Sequence, residues 1–226
     1  MIRNLPAEWD LEADIVAIGS GIGGLAAAIT ARDCGASALV LERSNLVGGV
    51  TAYSMGEIWV AGNHHEAAMG IEDSAESGYR YLKRLAMEYG DDLMILNQVV
   101  HAAVALRYFE DKMGLRMSVI PHCPDYYYGH CENSVAMGRM LEPHPFPGRS
   151  LGEWQARTRL SPQVPYGMTH TDIAAAGGVA NMAKWDFAIM AGRMEKDERC
   201  LGPGLAAYFV KGALDRDIPL HTGVNA

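Results

Sequence analysis

Residues 14–43 read DIVAIGSGIGGLAAAITARDCGASALVLER. Asp14 to Ile18 is a short, largely β-branched run of the kind that becomes a buried parallel strand, and it passes directly into Gly19-Ser20-Gly21-Ile22-Gly23-Gly24, a G-x-G-x-x-G turn. Leu25 to Cys34 is rich in good helix formers and is closed by Gly35, where a left-handed residue past the helix end is expected. Ala38-Leu39-Val40-Leu41 reads as a second strand, and Glu42 stands at its end at about the spacing that brings a carboxylate to a ribose hydroxyl. Gly19 permits the tight turn, Gly21 lets backbone approach a pyrophosphate and Gly24 lets helix pack on strand, so the helix start can aim free N–H groups at phosphate. The segment predicts a dinucleotide-binding βαβ unit within an α/β fold.

Residues 43–56 decide which dinucleotide is held. Arg43-Ser44-Asn45-Leu46-Val47-Gly48-Gly49-Val50-Thr51-Ala52-Tyr53-Ser54-Met55-Gly56 is a second glycine turn carrying several hydroxyls. A simple nicotinamide site has no need of it. The order GSGIGG, LER, GGVTAYSMG resembles the fumarate reductase and 3-ketosteroid dehydrogenase class of flavoproteins. The resemblance implies a Rossmann-like FAD-binding domain in which Gly19, Ser20, Gly21, Gly23, Gly24, Glu42, Arg43, Ser44, Gly48, Gly49, Thr51, Ala52, Ser54, Met55 and Gly56 hold FAD. The alternative for Thr51 and Ser54 is that they only satisfy loop backbone. No histidine lies between Arg43 and Gly62, so non-covalent FAD is implied.

Composition narrows the partners. A length of 226 residues with 49% hydrophobic content can bury a sizeable core. A net charge of -8, with 19 basic residues scattered among 27 acidic ones, leaves no positive stripe for nucleic acid. The longest apolar stretch, Ile15 to Ala31, is broken by glycines and too discontinuous for a bilayer span. Met1 to Asp10 has no apolar run of the secretory type, so a cytoplasmic location is expected. Cys34, Cys123, Cys131 and Cys200 form no C-x-x-C pair and read as reduced thiols.

Downstream, helical periodicity predicts a helix over 73–89 stopped by Gly90, and a second capped by Asp91 and ending at Gly114. His101 reads as a core or boundary residue, and Met94, Met113 and Met117 as gap fillers. A strand is expected over 115–120, then a long, proline-rich ordered loop over 121–149. Its His122-Cys123 and His130-Cys131 pairs lack the spacing of a zinc knuckle, and no metal site is expected. Tyr126-Tyr127-Tyr128 supplies phenols that suit enolisation of a ketone, although aromatic packing accounts for them equally. The run DYYYG, then Gly138-Arg139, Glu142-Pro143, Pro145-Phe146, Gly148-Arg149 and Leu151-Gly152, is similar to ketosteroid dehydrogenase-like flavoproteins. That likeness implies a pocket tyrosine here, Tyr127 first and Tyr126 second.

The last helix (202–214) and strand (218–224) are expected to return to the FAD sheet, giving a single domain: a core over 12–60, a helical and loop insertion over 61–200 and the return over 201–226. By resemblance, the catalytic domain and a C-terminal flavin segment lie outside this chain. A second polypeptide pairing at the 218–226 edge is the expected supplier. The implied activity is desaturation of a 3-ketosteroid or similar cyclic ketone next to its carbonyl. Two alternatives remain: fumarate reductase-type chemistry on a dicarboxylate, using Arg149, Arg157 and Arg159, or a non-catalytic flavin-binding assembly subunit.

Overall fold

The computed structural model describes residues 8–225. The reading of Met1 to Asp10 rests mostly on residues 1–7, which lie outside the described residues. The opening unit is as expected: β1 (Ile15–Ile18), α1 (Ile22–Asp33) and β2 (Ala38–Glu42). A 3₁₀ turn (Val50–Tyr53) and β3 (Ile58–Trp59) come next, then α2 (His64–Ala68), α3 (Ala75–Ala86) and α4 (Asp92–Met113). The rest comprises β4 (Met117–Val119), β5 (Met140–Pro143), β6 (Phe146–Pro147), α5 (His170–Ala175), α6 (Phe187–Lys196), β7 (Glu198–Arg199), α7 (Leu201–Leu214) and β8 (Leu220–Thr222).

β1, β2 and β8 form a parallel sheet in the order β1-β2-β8, so the last strand does return to the first two. β8 is an edge strand as expected, but the more apolar open edge is that of β1, where Val16 and Ile18 are 47% and 74% exposed. α7 is buried along almost its whole length, because its sequence is apolar on every side, and it packs on α1 and on the 3₁₀ turn. Phe209 meets Phe109 of α4 edge-on at 5.0 Å, and Tyr208 meets Phe146 at 4.8 Å, which ties the helical layer to the sheet side.

The capping predictions for α4 hold. The Asp91 carboxylate accepts the Met94 N–H at 3.0 Å, and Gly114 closes the helix in the left-handed region at φ 66°. Its outer face differs from expectation: Met94 is 74% exposed and His101 lies at the surface, while Val99 and Leu106 carry the packing. The 121–149 loop is shorter than expected. From Met140 it becomes β5, the buried central strand of an antiparallel sheet ordered β3-β5-β4. Glu142 and Pro143 disguise that strand in the sequence. β3, on the near side of residue 60, pairs with β5 across it.

One buried arginine organises this second sheet. Arg139 grips Asp73 with two parallel bonds of 2.7 Å, reaches Asp125 at 2.9 Å, and also donates to Ser77 Oγ and the Asn133 carbonyl. Asp125 in turn accepts the Trp59 indole N–H at 2.7 Å and the Val135 N–H. Burial pushes the Asp73 carboxyl upward in pKa, but the Arg139 fork outweighs it and holds the group below the ordinary carboxylate range. Replacing Arg139 by Met strands two buried carboxylates. The expected loss is about 3–5 kcal/mol of stability, read from urea unfolding; a change within about 0.5 kcal/mol would show that the cluster is solvated.

Glu66 behaves differently. Its Oε2 accepts the Asn63 backbone and side-chain N–H groups, whereas Oε1 has no hydrogen-bond partner among the described residues. Burial, reinforced by the Asp73 charge, raises its pKa from 4.5 to about 7. The native state therefore keeps a proton that the unfolded chain releases, and stability present below about pH 4.5 is lost as pH rises toward 7. Glu66→Gln is expected to flatten this part of the stability–pH curve, measured by urea midpoints across the window. An unchanged slope would contradict the assignment.

Candidate functional site

The two glycine turns close on one another at the C-terminal end of the parallel sheet. A Cβ on Gly49 would fall 2.8 Å from the Gly21 Cα, and one on Gly24 would fall 2.1 Å from the Gly19 carbonyl oxygen, so neither position admits a side chain. The link between the turns is the Glu42 carboxylate. Its Oε2 accepts the Ser20 N–H at 3.0 Å and the Ser20 hydroxyl at 2.5 Å, its Oε1 accepts the Ser44 N–H at 2.9 Å, and Ser20 Oγ accepts the Gly48 N–H at 3.1 Å. Burial works to raise the Glu42 pKa, but these donors prevail and hold it below its ordinary value, so it is anionic at neutral pH. Thr51 Oγ1 accepts the Ile22 N–H at 3.0 Å, capping one N–H at the start of α1 from the second turn.

Between these parts lies a cleft of about 800 Å³, within the size range of small-molecule and cofactor sites. Of the residues singled out in the sequence, Gly19, Ser20, Gly21, Gly23, Glu42, Arg43, Ser44, Gly49 and Thr51 line it. Ser54 and Met55 instead form part of the wall of a neighbouring cavity of about 610 Å³, together with Glu57, Trp59, Tyr81, Leu82, Leu85, Gln98, Tyr126 and Met140. Gly24 and Gly48 serve the packing behind the cleft, as do Ala52, fully buried, and Gly56, which lies against Leu201 of α7. Ser54 Oγ bonds the Thr51 carbonyl and the Gly56 N–H, the backbone-satisfying role the sequence left open for it.

Arg159, expected only for the dicarboxylate alternative, also lines the cleft. Arg159 reaches the cleft because Val47 and Thr158 form a bridge; its guanidinium bonds Ser44 Oγ at 2.8 Å and the Tyr53 hydroxyl at 3.1 Å. The other two arginines of the dicarboxylate alternative go elsewhere. Arg157 stacks on Trp154 and bonds Thr222, and Arg149 bonds the Glu195 carbonyl, so the three do not converge. In the second cavity Glu57 pairs with His170, which raises the histidine pKa, while Glu142 accepts the His170 and Thr171 N–H groups at the start of α5. Tyr127 does not line this cavity. Its N–H bonds the Tyr81 hydroxyl at 3.4 Å.

The fold and cleft define a dinucleotide-binding domain of the flavoprotein type. The chain belongs to the FAD binding domain family, whose model matches residues 14–226, and its cofactor is FAD. It is 30% identical over 201 residues to a 4-oxocyclohexanecarboxylate 2-dehydrogenase of Sinomonas cyclohexanicum, a match covering 88% of this chain and 35% of that protein. It is 33% identical over 135 residues to a 3-oxosteroid 1-dehydrogenase of Comamonas testosteroni, covering 60% and 23%. Among solved structures, the 3-ketosteroid Δ1-dehydrogenase of Sterolibacterium denitrificans superposes with a TM-score of 0.81 at 27% identity, over 93% of this chain and 40% of that one. The chain thus spans less than half the length of these relatives. Among the described residues, no helix is long and apolar enough to cross a membrane, and the four cysteines are free thiols.

The residues present fit the cofactor: an anionic carboxylate at the end of β2, backbone N–H groups at the start of α1, and glycines where side chains would obstruct. Glu42→Ala removes the acceptors of Ser20 and Ser44 and the carboxylate expected to meet the ribose. FAD affinity is expected to fall about 10- to 150-fold, by flavin fluorescence titration; unchanged affinity would remove Glu42 from the site.

Proposed function

We propose that this chain is the FAD-binding part of a dehydrogenase that introduces a carbon–carbon double bond beside the carbonyl of a 3-ketosteroid or similar cyclic ketone. The observation that carries this is the second cavity. It adjoins the second glycine turn through Ser54 and Met55, its walls are mainly apolar and aromatic, and it carries a phenol. That composition suits a flat, uncharged ring system better than a small dicarboxylate, which would have to approach the Glu57 carboxylate without convergent arginines. The names of the relatives agree with this reading.

Desaturation removes a proton from the carbon next to the ketone and a hydride from the following carbon. FAD, when bound, supplies the two-electron acceptor. Tyr126 is the residue assigned to hold the ketone. Its side chain lines the cavity while remaining 85% exposed, and the desolvation it does undergo, with the weaker effect of the Glu57 charge, raises its pKa, so it acts as a protonated donor toward oxygen that gains charge. This orders the two tyrosines opposite to the sequence expectation, with Tyr126 ahead of Tyr127. By the family resemblance the proton-abstracting base belongs to the catalytic part outside this chain. Non-covalent attachment is part of the proposal. So is the covering of the open β1 edge, in the whole protein, by further sheet-forming polypeptide, whether of the same chain or a second one.

The test is desaturation of a 3-ketosteroid by the complete protein with an artificial electron acceptor. Tyr126→Phe is expected to lower kcat/KM about 100-fold, and Tyr127→Phe to leave it within about twofold. Equal activity of both variants with wild type would favour a non-catalytic flavin-binding role. Turnover of fumarate but not of the steroid would overturn the substrate class.

A further inference from the structure

Away from the cleft, α2 carries two adjacent histidines at its start, and both turn to one carboxylate on α4. His65 Nε2 lies 2.8 Å from Glu110 Oε1, and His64 Nε2 lies 2.8 Å from Glu110 Oε2. The imidazole rings sit side by side, their centroids 4.1 Å apart and their planes 35° from parallel. The first contact is a hydrogen bond. The second is not: Oε2 is buried and has no hydrogen-bond partner among the described residues, although a nitrogen stands at 2.8 Å. The distance is right and the direction is wrong for N–H···O. A short nitrogen–oxygen separation without a hydrogen along it is what two ligand atoms show when both lone pairs point at a third atom.

We propose that His64, His65 and Glu110 form a binding site for one divalent transition-metal ion of the zinc class, which clips α2 to α4. The three ligand atoms lie within 4.8 Å of one another. Zinc–nitrogen and zinc–oxygen bonds of about 2.1 Å at the tetrahedral angle place their atoms about 3.4 Å apart, so an ion enters once the 2.8 Å contacts open by about half an ångström. Two imidazoles with a carboxylate suit zinc, nickel or copper rather than calcium or magnesium. The histidine side chains are about a quarter exposed, which leaves solvent to complete the coordination. An ion there would tie the five-residue α2 to α4, adding to the anchorage of its Asn63 cap.

Isothermal titration of the untagged, FAD-loaded protein with zinc chloride tests the site, alongside His64→Asn and Glu110→Gln. One zinc per chain is expected for the wild type, with affinity at least about tenfold lower in each variant and a zinc-dependent rise in melting temperature for the wild type alone. FAD content should be the same in all three. Glu110→Gln keeps the side-chain shape and carries the test if His64→Asn does not fold. No saturable zinc binding, or binding unchanged in the folded variants, overturns the proposal.

Discussion

The site depends on one carboxylate being held anionic in a place that would otherwise neutralise it. Glu42 ends the second strand beneath both glycine turns, and three donors from Ser20 and Ser44 meet its oxygens. Charge-assisted bonds of this kind are about twice as strong as neutral ones, enough to overcome the cost of burying the group. The Ser20 hydroxyl then passes the constraint on to Gly48, so the second turn is registered against the first before any ligand arrives. Thr51 closes the arrangement from the other side by capping Ile22. The cleft is preorganised, and little ordering is left to binding.

The second cavity has its own organiser. Arg139 neutralises Asp73 and Asp125, and Asp125 holds both the Trp59 indole and the Val135 N–H. The Trp59 and Tyr81 rings stack at 5.9 Å, with the Arg139 guanidinium 5.2 and 5.5 Å from their centroids. A buried ion cluster of this kind contributes more to placing a loop than to net stability. The second glycine turn and the aromatic wall of the cavity are thus fixed by separate polar centres that meet at Ser54 and Met55.

Much of this was legible in the sequence, and the reasons are local. Residues 14–43 declare strand, turn, helix and strand because each step uses a short-range rule, and Asp91 with Gly114 brackets α4 for the same reason. Gly49 of the second turn was legible because its place against Gly21 admits no side chain. What stayed hidden was non-local. β5 contains Glu142 and Pro143, whose places make sense only once α5 supplies N–H groups to the glutamate and the strand ends at the proline. Arg159 enters the cleft through a bridge more than a hundred residues from the glycine turn, a relation no spacing encodes. Glu57, Trp59 and Tyr81 carry no motif.

A crystal structure of the FAD-loaded protein tests the central claim most directly. The expected result places an adenosine ribose hydroxyl within hydrogen-bond reach of the Glu42 carboxylate, the pyrophosphate over Gly21 and Gly23, and the flavin ring beside Ser54 and Met55, facing the cavity that Tyr126 lines. A flavin bound with its ribose away from Glu42, or with its ring turned from that cavity, would contradict it.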